Sequence, residues 1–388
     1  MKLLFICNNL HIGGIQKSLI NLLDEISDAY EVTLFVFAKV GDLSEKVPKN
    51  VKIICGNGFT KILGMSQGEA KKCGIFTALW RTFWAILTKL FGIGFSFGAL
   101  TRMQKLKESY DVAISFSQNS AYKMFYGGCN EFAVNSVKAK KKVSFVHCDF
   151  LHYFGNNPYN RKYYSRFDSI ACVSDSCKNV FDSACPEYKD KTVSVHNCYN
   201  FAEMKKEADS FTAERTEGVL NILTAARISE EKGIFRMFPI FKKLKEQGFQ
   251  FVWRIAGSGP LLEKAQEECK LCGLSDDVVF LGMLKNPYPY FKNSDLLLVP
   301  SYDEAAPMVF GEASFFGLPV FTTNTTSAYE LVENAKIGFV AENNDEAIFE
   351  GLSDLLKNPD RISEKAKNIK ISNEQAIAEF NALMVREV

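Results

Sequence analysis

The chain has 388 residues, 47% hydrophobic and 23% charged, which suits two globular domains or three. Lys and Arg number 46 against 45 Asp and Glu, and that balance excludes nucleic-acid binding driven by overall charge. Eleven cysteines, odd in number and scattered, exclude a secreted disulfide scaffold and read as reduced thiols of a cytoplasmic protein.

The N-terminal run MKLLFICNNL turns polar at Asn8 with no small-residue cleavage site after it, so it reads as a buried first strand. Further apolar runs at 32–37, 51–55, 112–116, 143–147, 170–174 and 193–196 complete a first half. A second set follows at 220–225, 251–256, 278–281, 296–300, 319–322 and 338–341. Continuous apolar strands alternating with helical segments predict parallel sheets covered on both faces, hence an α/β protein of doubly wound type. The polar stretch 200–217 lacks strand character and predicts a linker between two Rossmann-like halves. Residues 372–388 predict one terminal helix, with Ser372 and Gln375 in a capping box. Ligands of open α/β sheets bind beyond the carboxyl ends of the strands, so the informative residues should follow strands.

Gly13 and Gly14 follow the first strand as a close-approach loop. Residues 70–107 hold seven basic residues (Lys71, Lys72, Arg81, Lys89, Arg102, Lys105 and Lys107) and no acid. Phe76, Trp80, Phe83, Trp84, Leu87 and Phe91 share one helical face there, with Arg81, Ala85 and Lys89 opposite. The segment reads either as a basic amphipathic helix on a membrane surface or as a core helix of the first half. His147 ends a strand, where it either holds a sugar or acceptor hydroxyl or serves as a hydrogen-bonded structural histidine.

In the second half, Arg227 and Lys232 sit on the loop after a strand. There two cations either neutralise a diphosphate or are simply solvated. Gly257-Ser-Gly259-Pro260 is a tight strand-to-helix turn; Leu262 replaces the third glycine of a dinucleotide fingerprint, which disfavours a nicotinamide oxidoreductase. The stretch PSYDEAAPMVFGEASFFGLPV carries Glu304 before a helix and Glu312 inside it. Pro307 suits the first helical position and Gly317 the end. The free amides of Met308 and Val309 suit a phosphate, Glu304 suits sugar hydroxyls, and Glu312 suits the two hydroxyls of a ribose. The alternative is a helix-terminal acid beside an unrelated glutamate. Cys269 and Cys272 form a lone C-x-x-C with no second pair or nearby histidine and read as structural. No D-x-D occurs, so no metal site beside a diphosphate is expected and neutralisation falls to Arg227, Lys232 and the helix end.

In this order the pieces resemble the retaining GT-B glycosyltransferases of family 4, the glycosyl transferase group 1 type. The match is carried by the Gly13-Gly14 pair, His147, the R-x4-K-G string at Arg227, Lys232 and Gly233, the G-x-G-P turn at Gly257, and the E-x7-E pair at Glu304 and Glu312. The resemblance spans nearly the whole chain. It implies two Rossmann-like domains facing a cleft: an acceptor-binding domain over 1–200, a nucleotide-sugar domain over 201–371, and a helix over 372–388 returning to the first. It implies a metal-independent, retaining hexosyltransferase without cofactor. Such an enzyme takes a nucleotide diphosphate sugar, uridine being the base the family implies, to a glycan or lipid-linked acceptor of a surface polysaccharide. Glu304 would then contact the donor sugar, Glu312 the ribose, and Arg227 and Lys232 the diphosphate, with attack on the front face. The Gly257–Gly259 turn and the Met308 and Val309 amides would lie on the donor side. His147, Gly13 and Gly14 would lie on the acceptor side. A cytoplasmic protein, peripheral on the inner membrane face, is expected, and no nucleic acid. The chain departs from the family at Ala305-Ala306-Pro307, where Gly-Phe-Gly is usual, and at the glycine-free turn NTTSAYE. A non-catalytic GT-B partner subunit and a GT-B sugar-nucleotide epimerase are the alternatives. The former usually loses the glutamate pair or the basic pair, and both are intact here.

Overall fold

The computed structural model describes residues 1–119, 123–152, 155–367 and 369–386. The chain divides into two compact units, Met1–Tyr199 with Asn373–Val388, and Asn200–Ser372. All thirteen predicted strands are present. The first unit holds a seven-stranded sheet of order β3-β2-β1-β4-β5-β6-β7 and the second a six-stranded sheet of order β10-β9-β8-β11-β12-β13. Strand β1 is Lys2–Cys7, β2 Glu31–Val36, β3 Lys52–Cys55, β4 Ser109–Ser115, β5 Lys138–Val146, β6 Ser169–Cys172 and β7 Thr192–Ser194. In the second unit β8 is Leu220–Ala225, β9 Phe251–Ala256, β10 Val278–Gly282, β11 Leu296–Val299, β12 Val320–Thr323 and β13 Gly338–Ala341. Every pairing is parallel. Strands buried on both faces explain the unbroken apolar runs: Leu3 to Cys7 and Leu296 to Leu298 are all 0% exposed.

Three local expectations are corrected. The stretch after Tyr199 is not all linker: Asn200 caps a helix over Phe201–Ala208, its side chain accepting from the Glu203 amide. The terminal helix runs Glu374–Val385 without the Ser372–Gln375 capping box. Asn373 stands at its N-cap position with its amide committed to Glu25 and the Tyr199 carbonyl, and Gln375 donates to Glu379 instead. That helix docks within the first unit. Glu379 pairs with His196, Phe380 stacks on Phe5, and buried Lys141 of β5 donates to the carbonyls of Leu383 and Arg386. A cation on the last carbonyls of a helix satisfies its orphan acceptors and opposes its dipole.

The third correction concerns helix Ile75–Phe91. Its buried residues are Ala78, Trp84 and Thr88, and Trp80 and Leu87 pack against the same core. The face expected to meet lipid is therefore partly the core face: the core reading holds for the side that carries Trp84, while Phe76, Leu79 and Leu90 on the other side are exposed. No helix of the described residues is long and apolar enough to cross a membrane.

The first unit also buries a carboxyl group. Glu131 is 0% exposed; its Oε1 accepts from Asn119 Nδ2 at 2.7 Å and from the Tyr159 hydroxyl at 2.8 Å, and its Oε2 has no partner. Burial outweighs these hydrogen bonds and pushes its pKa up to about 7. The folded state therefore holds this proton more tightly than the unfolded state between the ordinary value of 4.5 and about 7. Stability contributed by the group is complete below that window and is lost as pH rises through it, by on the order of 3 kcal/mol. Glu131→Gln should flatten this slope. Denaturant midpoints at pH 5 and pH 8 should differ less in the variant than in the parent, and equal differences would refute the assignment.

Candidate functional site

The second unit brings two of the predicted residues into contact across 72 positions of sequence. Lys232 Nζ donates to Glu304 Oε1 at 2.7 Å, and the Ser301 hydroxyl donates to the same oxygen at 2.8 Å. Both charged side chains are mostly shielded, 22% and 12% exposed. The loops that carry them leave the carboxyl ends of the neighbouring strands β8 and β11.

The backbone fixes this approach. Gly233, directly after Lys232, has φ +65°, and a Cβ there would lie 1.9 Å from the Pro300 carbonyl oxygen. Only glycine fits a left-handed conformation pressed against a carbonyl. The Tyr302 amide donates to the Glu231 carbonyl, and the Tyr302 carbonyl accepts from Asn343. Arg236, 5% exposed, lies over the Tyr302 ring and is held by Asp345 and Asn343.

Gly257 and Gly259 serve the same loop. A Cβ at these positions would lie 1.8 Å from the Ala226 carbonyl oxygen and 2.3 Å from that of Ile228. The Ile228 amide donates to the Ser258 carbonyl. The close approach read from these glycines is thus made to the strand-end loop that carries Arg227. Arg227 itself turns to Glu231, four residues on, and is 67% exposed, outside the Lys232–Glu304 contact.

The helix after Glu304 runs Met308–Phe315, and Pro307 is its N-cap, with φ −63° and ψ 127°, one position before the one expected. Extended ψ at Pro307 keeps residue 307 out of the helix. The Phe310 amide turns back to the Pro307 carbonyl, while the amides of Met308 and Val309 have no acceptor among the described residues. Gly317, at φ +65°, follows the C-cap Phe316 as the helix stop. Glu312 is 2% exposed, with Oε1 3.5 Å from the Tyr288 hydroxyl. Ser301 and Tyr288 had no sequence signal: a serine after a strand and a tyrosine 24 residues upstream are unremarked until the fold joins them.

In the first unit, His147 follows β5, its ring 4.7 Å from Phe116 and 5.7 Å from Phe145 between centroids. Burial depresses its pKa to about 3, against a hydrogen bond to the Phe116 backbone. The imidazole is therefore neutral at physiological pH, with a buried Nε2 that has no partner. Gly13 is the N-cap of helix Gly14–Ile26, in extended conformation. Beside this loop lies a cavity of about 650 Å³ lined by His11, Gln16, Ser66, Glu69, Arg81 and Tyr126 among others. His11 Nε2 and Glu69 are 2.6 Å apart. Burial opposes ionisation of Glu69, but hydrogen bonds from Ser66 and His11 outweigh it and hold the carboxyl below its usual range. Arg81 donates to the Met65 carbonyl and Gln67 rather than facing water. Sequence reading put Arg81 on an open polar face and gave no signal for His11 or Glu69.

A G-x-S-x-G string at 94–98 has the spacing of a nucleophile elbow. Ser96 is instead fully buried in helix Ile93–Arg102 and bonded to Thr88. Cys269 is buried and Cys272 partly buried at the end of helix Leu262–Leu271, both as free thiols.

Two parallel α/β units with these strand orders define the GT-B architecture of glycosyltransferases. A solved HepE of Anabaena, in complex with UDP and glucose, superposes with TM-score 0.68 over 100% of both chains at 15% identity. Residues 205–375 match the family model described as glycosyl transferases group 1. An uncharacterized glycosyltransferase of Methanocaldococcus jannaschii, MJ1059, is 27% identical over 168 residues, 42% of this chain and 41% of that one. CapM of Staphylococcus aureus, a capsular polysaccharide biosynthesis glycosyltransferase, is 29% identical over 133 residues, 34% of this chain and 35% of its own. The matched part thus spans less than half the length of either curated relative.

Proposed function

We propose that the protein is a glycosyltransferase of surface-polysaccharide synthesis, moving a sugar from a nucleotide diphosphate sugar, a UDP-sugar by preference, to a glycan or lipid-linked acceptor. The observation that carries this reading is the Lys232–Glu304–Ser301 contact beside the first turn of helix Met308–Phe315. It sets a cation, a hydroxyl-binding carboxylate and unengaged amides at adjacent strand ends, which is what a sugar diphosphate requires. HepE, solved with UDP and glucose, supports the donor class, and CapM, a capsular polysaccharide biosynthesis glycosyltransferase, supports the pathway class.

In this proposal the bond between the sugar carbon and the diphosphate oxygen breaks with its electron pair leaving on the diphosphate. The acceptor oxygen bonds to the same face, so configuration is retained, and its proton passes to the departing phosphate. Lys232, Arg227 and the Met308 and Val309 amides stabilise the charge that develops on the leaving group, without a metal. Glu304 orients the donor sugar and Glu312 the ribose. His147 Nε2, a neutral acceptor, takes a hydrogen bond from a sugar or acceptor hydroxyl beside the Gly13-Gly14 loop. The setting is the cytoplasm, at the inner face of the membrane.

Thermal unfolding with UDP, GDP, ADP, CMP and NAD, each without added metal, tests the reading. A ligand at about 100 times its dissociation constant adds ~2.7 kcal/mol. A raised melting temperature with one nucleoside diphosphate is expected; none with any of them would favour the non-catalytic partner, and NAD alone would overturn the proposal. Product analysis then separates transfer to an acceptor from epimerisation of the free sugar nucleotide.

A further inference from the structure

Helix Ile75–Phe91 leaves a second apolar side uncovered. Phe76, Leu79, Phe83, Ile86 and Leu90 recur at alternating spacings of three and four, which places them on one stripe. They are 85%, 60%, 50%, 52% and 65% exposed. Ile75, Phe91 and Phe95 extend the stripe at both ends and are also more than half exposed. Water-facing side chains of this size, contiguous along four turns, are far beyond the scattered apolar residues of an ordinary surface.

The stripe is rigidly presented. Trp84, Ala78 and Thr88 fix the opposite side of the helix in the core of the unit. The Trp80 indole donates to the Phe59 carbonyl and stacks on Phe83, so the aromatic residues of the exposed side are braced from beneath.

Charge identifies what covers it. Of the seven basic residues between 70 and 107, six are exposed: Lys71, Lys72, Lys89, Arg102, Lys105 and Lys107. No acid occurs in the segment. Lys71 and Lys72 precede the stripe in sequence and Lys89 lies between Ile86 and Leu90, so a second copy of this helix would bring these cations toward their own kind. An anionic surface would meet them with opposite charge while the stripe enters its apolar boundary. A 17-residue helix with one side held in protein lies along such a surface rather than crossing it.

We propose that this stripe docks the protein on an anionic membrane surface, with helix Ile75–Phe91 in the plane of the interface and its Trp84 side retained in the protein. The inference stands independently of the transfer reaction.

Flotation of the full chain with vesicles tests it. Vesicles of phosphatidylcholine mixed with phosphatidylglycerol should carry the protein to the top of the gradient, and phosphatidylcholine alone should carry roughly tenfold less. Phe83→Glu and Leu90→Glu, both at exposed positions, should each abolish flotation with an unchanged melting temperature. Should either destabilise the fold, Lys71→Glu with Lys72→Glu and Lys89→Glu, all exposed, must still remove the preference for anionic lipid. A parent protein that stays at the bottom, or variants that float as well as the parent, would overturn the proposal. So would a parent that sediments as a dimer, does not float, and becomes a monomer with Phe83→Glu.

Discussion

Lys232→Ala is expected to lower kcat/KM by on the order of 10²–10³, the usual cost of removing one group that stabilises a developing anion. The geometry makes the change larger than the loss of one cation. Glu304 keeps its Ser301 hydrogen bond but loses its counter-ion, so a carboxylate 12% exposed is left beside the diphosphate. The fold should survive: Lys232 lies on a loop, and the neighbouring contacts through Gly233, Tyr302 and Arg236 do not use its side chain. A melting temperature near that of the parent, with no detectable nucleoside diphosphate binding by calorimetry, is the expected pair of results. The double variant Lys232→Ala, Glu304→Ala should bind diphosphate better than the single one, because the stranded charge is gone. An unchanged dissociation constant in Lys232→Ala would remove the second unit's strand-end loops from the donor site.

Glu312→Gln is the second large effect. Glu312 is nearly sealed within the protein, and a hydrogen bond to a buried charge is worth about 1.5–3 kcal/mol. Loss of the charge should therefore raise the dissociation constant of the nucleoside diphosphate roughly 10- to 100-fold. The amide keeps the shape and retains an oxygen facing Tyr288, so packing against the Tyr288 side is preserved. The decisive comparison uses a deoxyribose ligand. The parent protein should discriminate UDP from its 2′-deoxy or 3′-deoxy analogue, and the variant should discriminate far less. A variant that weakens both ligands equally would make Glu312 a packing residue.

Much of the architecture was legible because fully buried parallel strands announce themselves. Runs such as Leu3–Cys7 and Leu296–Val299 have no polar alternation, and every one of the thirteen formed a strand. Helix 75–91 was harder. Its apolar residues occupy so much of the circumference that periodicity could not tell the core side, with Trp84, from the open side, with Leu79 and Leu90. Of the candidate site, the residue types and their places after strands were legible. The partners were not, since Lys232 and Glu304 are 72 residues apart and meet only because β8 and β11 are neighbours. The glycines illustrate the limit: Gly257 and Gly259 did report a close approach, but its target, the carbonyls of Ala226 and Ile228, depended on the fold.

The Lys232–Glu304 contact has a consequence for selectivity. With the pair closed, the strand-end loops present a compensated rather than a bare positive surface. Small free anions gain little there, because displacing a carboxylate at 2.7 Å returns only what it takes away. A sugar diphosphate is different: its phosphates can take the ammonium group while its sugar hydroxyls take the released carboxylate. Under the proposed function the pair would act as a lock that opens to two complementary groups arriving together, and inorganic phosphate or sulfate should be poor competitors of the complete donor.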